Sequence, residues 1–273
     1  MDAGLILAIL AERMGADAAL SHAAVAAMAL SEPTICALHV RVDPLSTIMP
    51  TEEILSKEQE ETLLREGEAE GAAIKLVYEA WVKKLPADLV ADWEDLAGTE
   101  ATQISQHAKE AALLVMAAPT TATRGHALQA FHAALFDVHR PLLAVPPDHQ
   151  AVPIRRILIG WKEGDVSRRA IEAALPWLLQ AADVQIVRVG EADDGELAAG
   201  DRFLARLGVQ VTTRTVAENG LADGERLLAE ARAVQADWLV MGAYRHNRLV
   251  EWVFGGITRT VLDQAQLPVF MMH

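Results

Sequence analysis

"VQADWLVMGAY", from Val234 to Tyr244, has a counterpart in "KEAALLVMAAP", from Lys109 to Pro119. The two align without a gap and share Leu-Val-Met at the same place. Further on, "RPLLAVPP" (Arg140–Pro147) matches "LPVFMMH" (Leu267–His273) after a slightly shorter intervening loop in the first copy. A single repeat of this length is a duplicated domain, not one unit of a solenoid. Between the copies, "PPDHQAVP" (Pro146–Pro153) is rich in proline and lacks periodicity, which marks a linker. The domains predicted are 1–147 and 152–273.

Each copy alternates strand-like and helical segments. In the second, "IRRILIGW", "DVQIVRV", "VQVTTRTV", "WLVMGA" and "PVFMM" read as strands. Between them, "VSRRAIEAALPWLLQA" sets Ile171, Ala174, Leu175 and Leu178 on one helical face. "GDRFLARLG", "GERLLAEARAV" and "TRTVLDQAQ" complete the helices. The first copy repeats the order, from "LILAIL" to "PLLAVP", with a long helix near Thr51–Lys84. Apolar strands separated by helices of ten or more residues predict parallel sheets covered on both faces.

The composition excludes several classes. The 273 residues carry a net charge of −14, with 24 Lys/Arg against 38 Asp/Glu, which disfavours nucleic acid as a partner. The first apolar stretch, Ala3–Ala11, stops at Glu12-Arg13 and lacks a basic leader, so neither a signal peptide nor a membrane span is expected. The lone cysteine, Cys36, sits in "TICALHV" and reads as a core residue. These features predict a cytoplasmic protein with no membrane partner. Nine histidines are present, but His126, His132 and His139 are six and seven apart, a poor spacing for ligands shared on one helix. No metal site is expected. No Walker A sequence and no Gly-x-Ser-x-Gly elbow occur. The acidic run "EEILSKEQEETLLREGEAE" reads as a solvated helix face, and Asp165 and Ser167 as helix-capping residues.

In an open parallel sheet, ligands bind beyond the carboxyl ends of the strands where strand order reverses. Gly242 ends the fourth strand of the second copy, where a glycine permits close backbone approach. Gly255-Gly256 open the last helix, whose exposed amides favour an anion, and Thr258 adds a hydroxyl in the first turn. From Gly242 to Arg248 the chain carries Arg245 and Arg248 and no acid. The alternative is that the glycines only punctuate a turn and a cap.

This segment resembles the signature of the universal stress protein family, Gly-x2-Gly-x9-Gly-Ser/Thr after the fourth strand. Gly242 and Gly255 match, separated as the signature requires, but Arg245 replaces its second glycine and Gly256 its Ser/Thr. The flanking "LVMGAY", "FGGITR" and "LPVF" also fit. The resemblance implies two tandem doubly wound five-stranded sheets of order 3-2-1-4-5, the adenine-nucleotide alpha-hydrolase-like fold. It implies ATP or AMP as ligand in the second domain. The implied contacts are Gly160, Trp161, Lys162, Val189, Met241, Gly242, Tyr244, Arg245, Gly255, Gly256, Ile257 and Thr258. Lys162 stands where binding members often carry an Asp for the ribose, and lysine cannot accept that bond. Trp161 reads either as a stacking partner for a base or as core.

The first copy has Ala117-Ala118-Pro119-Thr120-Thr121 and no Gly-Gly before its helix, so its phosphate cradle is missing and a structural role is expected. In the implied strand order the fifth strands, "PLLAVP" and "PVFMMH", are sheet edges, and exposed apolar edges invite pairing. The resemblance implies that they meet, as an intramolecular pseudo-dimer of the two domains able to associate further as a homodimer, and an antiparallel contact between Leu142–Val145 and Val269–Met272 is expected. With no general base or metal ligand in evidence, the expected activity is regulation of a stress response, with slow ATP hydrolysis at most. The alternative is an interaction protein of the same fold that has lost the nucleotide. An enzyme of a related superfamily is disfavoured by the lack of a Ser-Gly-Gly loop.

Overall fold

The computed structural model describes residues 4–42, 56–120, 123, 125–189, 194–216, 220–243 and 256–273. In the first half, strands β1 (Leu5–Ile9), β2 (Thr34–Arg41), β3 (Val90–Ala97), β4 (Leu113–Ala117) and β5 (Leu142–Val145) alternate with helices. These are α1 (Ala16–Ala27), α2 (Lys57–Val82), α3 (Glu100–His107) and α4 (Gly125–His132), the last continued by a π-helical turn over Ala133–Asp137. The second half repeats the plan with β6 (Arg156–Gly160), α5 (Asp165–Leu178), β7 (Asp183–Val189), α6 (Asp194–Arg206) and β8 (Thr212–Val216). It ends with α7 (Asp223–Ala233), β9 (Trp238–Gly242), α8 (Ile257–Gln264) and β10 (Val269–Met272).

The ten strands form one sheet in the order β3-β2-β1-β4-β5-β10-β9-β6-β7-β8. Within each half the order is the expected 3-2-1-4-5, and all pairings are parallel. The junction is the antiparallel pair β5–β10, with Ala144, Leu143 and Leu142 opposite Val269, Phe270 and Met271. All six residues are at most 1% exposed. A strand so buried cannot leave its outer N–H and C=O groups to water, so each half satisfies the other's edge.

Alternation along the strands divides the core into two layers. One face carries Ile157, Ile159, Trp238, Val240 and Phe270 beneath α1, α2, α5 and α6. The other carries Leu158, Val187, Leu239, Met241 and Val269 beneath α3, α4, α7 and α8. At the junction, Trp177 of α5, Trp238 of β9 and Phe270 of β10 pack with centroids 5.7–6.1 Å apart. Trp177 Nε1 donates to the carbonyl of Ala26 in α1 at 2.9 Å, and Gln180 Nε2 to that of Ala29 at 2.8 Å. A proline at Phe270 removes a ladder donor and a buried ring, a loss of roughly 5 kcal/mol. We expect Phe270→Pro to enlarge the scattering radius by parting the halves; an unchanged radius would contradict this account of the junction.

A second link across the junction is titratable. His22 of α1 is 1% exposed, and its Nε2 lies 3.0 Å from Nδ1 of His149 in the linker. Burial, reinforced by His149, holds His22 down at about 4. His149 is lowered by burial, with Asp237 opposing. The unfolded chain takes up a proton on His22 near 6.5, whereas the folded chain resists until about 4. Stability is therefore complete above the unfolded value and falls as pH drops through this window, by up to about 3 kcal/mol. Thermal melts from pH 7 to 4.5 should show the decline, and His22→Gln should flatten it. Equal pH dependence in both proteins would contradict the assignment.

Candidate functional site

In the second half the order of strands reverses between β6 and β9, and two helices begin at that crevice. Gly164 precedes α5 with φ 147° and ψ 166°, and Gly256 precedes α8 with φ 152° and ψ 167°. Few residues other than glycine take this backbone. Neither helix has a side-chain cap. Gly256 is exposed, and among the described residues nothing lies within 4 Å of the position a Cβ would occupy. The capping expectation for Asp165 and Ser167 is thereby corrected: Gly164 is the cap, Asp165 is the first helical residue, and Ser167 is buried. Asp165 remains favourable beside the positive end of the helix dipole.

The expected site residues divide into groups. Gly160 ends β6, Met241 and Gly242 end β9, and Gly256, Ile257 and Thr258 start α8, so these six meet at the carboxyl edge. Thr258 is 6% exposed and Met241 also 6%. Lys162 is exposed just past β6. Val189 closes β7, the neighbour of β6. Tyr244, Arg245 and Gly255 lie outside the described residues.

Two assignments change. Trp161 is 3% exposed, donates its indole N–H to the Glu196 carbonyl at 3.0 Å, and lies beside Phe203 with centroids 6.3 Å apart. It is a core residue, and its ring is not offered to a base. Gly242 is needed for packing: a Cβ there would stand 2.9 Å from Val166 Cγ1 and 3.1 Å from the Ser167 nitrogen. The first turn of α5 fills the space that a side chain at this position would need.

The structure also brings forward residues that the sequence did not single out. Glu196, in the first turn of α6, accepts the Glu163 amide on Oε1 at 2.7 Å and pairs through Oε2 with Arg188 Nε at 2.5 Å. Arg188 and Glu196 are 18% and 17% exposed. Glu163 is paired in turn with Arg168, whose guanidinium lies 5.5 Å from the Phe203 ring centroid. The loop after β6 is thus held by side chains from α5, α6 and β7. A charged residue inside an apolar strand, Arg188 in "DVQIVRV", was the one available signal. Glu196 among other acids had none.

The corresponding crevice in the first half is built differently. Gly15, before α1, closes onto β4 so tightly that a Cβ would lie 2.5 Å from Ala117 Cβ. The cleft between Leu10, Met116, Ala117 and Phe131 has free space close to that of a single water molecule. His126, in the first turn of α4, reaches across to the carbonyl of Ala11 at 3.3 Å. Burial raises Glu12, His126 lowers it in part, and Glu70 adds to the rise. This half-buried acid, when ionised, opposes an anionic guest at the edge. Among the described residues no group of three or more His, Cys, Asp or Glu is placed to hold a metal, and no helix is long and apolar enough to cross a membrane.

Residues 188–273 match the model of the Universal stress protein family. A universal stress protein from Archaeoglobus fulgidus DSM 4304 superposes with a TM-score of 0.69, covering 98% of this chain and 95% of its own at 16% identity. A putative universal stress protein from Pseudomonas aeruginosa UCBPP-PA14 gives 0.56, covering 98% and 92% at 14% identity. The functionally unknown protein PA1789 from Pseudomonas aeruginosa PAO1 gives 0.58 with the same coverage at 13% identity. No curated protein matches the chain. The α/β architecture is that of the universal stress proteins, and the full-length superposition on the Archaeoglobus protein extends it to both halves.

The packing role of Gly242 has a direct consequence. In ligand-free protein, Gly242→Ala should lower stability by roughly 1–3 kcal/mol, because a helix backbone must move aside. A ligand-free melting temperature equal to wild type would return Gly242 to a purely ligand-facing role.

Proposed function

We propose that the chain is a cytoplasmic stress-response regulator that binds an adenine nucleotide, ATP or AMP, in its second half and performs no efficient catalysis. The observation that carries this reading is the glycine-capped start of α8. Gly256 adopts a glycine-favouring conformation at the strand-order reversal, exposed and, among the described residues, with open space beside it. Amides in the first turn of a helix form an anion site, and a phosphate chain is the guest that such a turn suits. The match of residues 188–273 to the family model supports the same reading. Lys162 adds positive charge at the end of β6 and would face phosphate in place of a ribose contact. The first half serves as the structural partner, forming with the second an internal pseudo-dimer that can associate as a homodimer.

A second reading is favoured by Trp161 and Gly242. Both positions are occupied by the protein's own packing, as expected of an interaction protein that has given up its nucleotide. Calorimetry with ATP and AMP, with mass spectrometry of ligand released from denatured protein, separates the two. The nucleotide reading predicts saturable heat, and a several-fold loss of affinity in Thr258→Val, worth about 1 kcal/mol for one hydroxyl. No released ligand and no heat with either nucleotide would replace it by the interaction protein. ATP turnover well above background would contradict both.

A further inference from the structure

Arg226 of α7 is the most deeply buried charged side chain among the described ion pairs. It is 4% exposed, whereas the other paired arginines are 18–50% exposed; Arg168 shares one such buried open donor, its Nε, but Arg226 has two. Its Nη2 pairs with Asp223, but Nε and Nη1 are buried without a hydrogen-bond partner. Asp223 is itself 41% exposed, so its carboxylate is largely hydrated and neutralises only part of the charge. A guanidinium does not shed its proton at any ordinary pH. Burying it with two empty donors is unfavourable until an acceptor arrives. The empty donors lie in one guanidinium plane on either side of the Nη2 that holds Asp223, and each can give a charge-assisted hydrogen bond to a phosphoryl oxygen.

The placement of α7 connects this residue with the crevice. Gly224 packs on the start of α8, its Cβ position 3.0 Å from the Ile257 carbonyl and 2.7 Å from Thr260 Cβ. Leu227 packs under the end of β6, with Cδ2 2.9 Å from the Cβ position of Gly160. Arg226 stands between these two residues in the same turn. Its bond to Asp223, the first residue of α7, draws the guanidinium towards the helix start, and therefore towards the carboxyl edge of the sheet. A buried cation with open donors thus belongs to the turn that touches both β6 and α8.

We propose that Arg226 is a receptor for a phosphoryl oxygen, so that the second-half crevice selects phosphorylated ligands over free nucleosides. The proposal rests on the reading of that crevice as a nucleotide site. It is tested by calorimetry on wild type, Arg226→Met and Arg226→Lys with ATP, pyrophosphate and adenosine, together with ligand-free melting temperatures. Arg226→Met should bind ATP and pyrophosphate at least tenfold more weakly, about 1.4 kcal/mol, while any adenosine affinity is unchanged. Its ligand-free melting temperature should equal or exceed wild type, because an unsatisfied buried charge is gone. Arg226→Lys keeps the charge without the fork and should recover only part of the lost affinity.

A lower melting temperature with wild-type ATP affinity would make Arg226 a structural ion-pair residue and overturn the proposal, leaving the nucleotide reading intact. If Arg226→Met does not fold, wild-type ATP affinity in Arg226→Lys overturns it equally. Pyrophosphate binding that depends on Arg226 without ATP binding would support the receptor and remove the nucleotide. Wild-type protein that binds neither ATP nor pyrophosphate ends both.

Discussion

The antiparallel pairing of β5 with β10 is the constraint around which the rest is arranged. Each half ends in a short apolar strand that lies at the margin of its own five-stranded sheet. Pairing the two margins completes their hydrogen bonding and places Leu142–Val145 and Val269–Met271 in the driest part of the molecule. The Trp177–Trp238–Phe270 cluster and the contacts of α1 with α5 then cover one face of the joint. Because the halves are parallel within themselves and antiparallel where they meet, their carboxyl edges point in opposite directions. The two crevices therefore open on opposite edges of one continuous sheet, and a ligand in one does not touch the other.

Duplication preserved the topology and let the two edges diverge. In the first half, small residues bring the turn after β1 onto β4, and His126 spans the remaining gap. A half-buried acid, Glu12, completes an edge unsuited to phosphate. In the second half, the same edge has two helix starts capped by glycine alone, and arginines on α5, β7 and α7 within the surrounding elements. Net charge of the whole chain, −14, hides this local contrast. What matters to a ligand is the local potential at the carboxyl edge, where Lys162 is exposed and Arg168, Arg188 and Arg226 are each paired with an acid.

Fold and site were legible to different depths. Strand and helix periodicity follows from burial on a two-layered sheet, so "WLVMGA" and "IEAALPWLL" could be assigned from their own residues. The repeat showed the duplication, the resemblance to the universal stress proteins supplied the strand order, and in that order the apolar fifth strands announced their pairing. The site was harder because a glycine at a strand end has two explanations with one sequence signature. Gly256 has open space beside it, whereas Gly242 makes room for Val166 and Ser167. Only the position of α5 distinguishes them. Trp161 was equally ambiguous until Phe203 and Glu196, brought in by α6, fixed its ring. Pairings such as Arg188–Glu196 join residues whose charges look ordinary in the chain, and their burial depends on helices that no local pattern locates.

The central claim is that the first turn of α8 receives an anionic ligand. Its most direct measure is amide chemical-shift change in isotope-labelled protein titrated with ATP. The account predicts that the largest saturable shifts fall on Gly256, Ile257 and Thr258, as expected when phosphate bonds to those N–H groups. Saturable binding that leaves these three amides unmoved, with the shifts gathered at the edge of the first half, would contradict it.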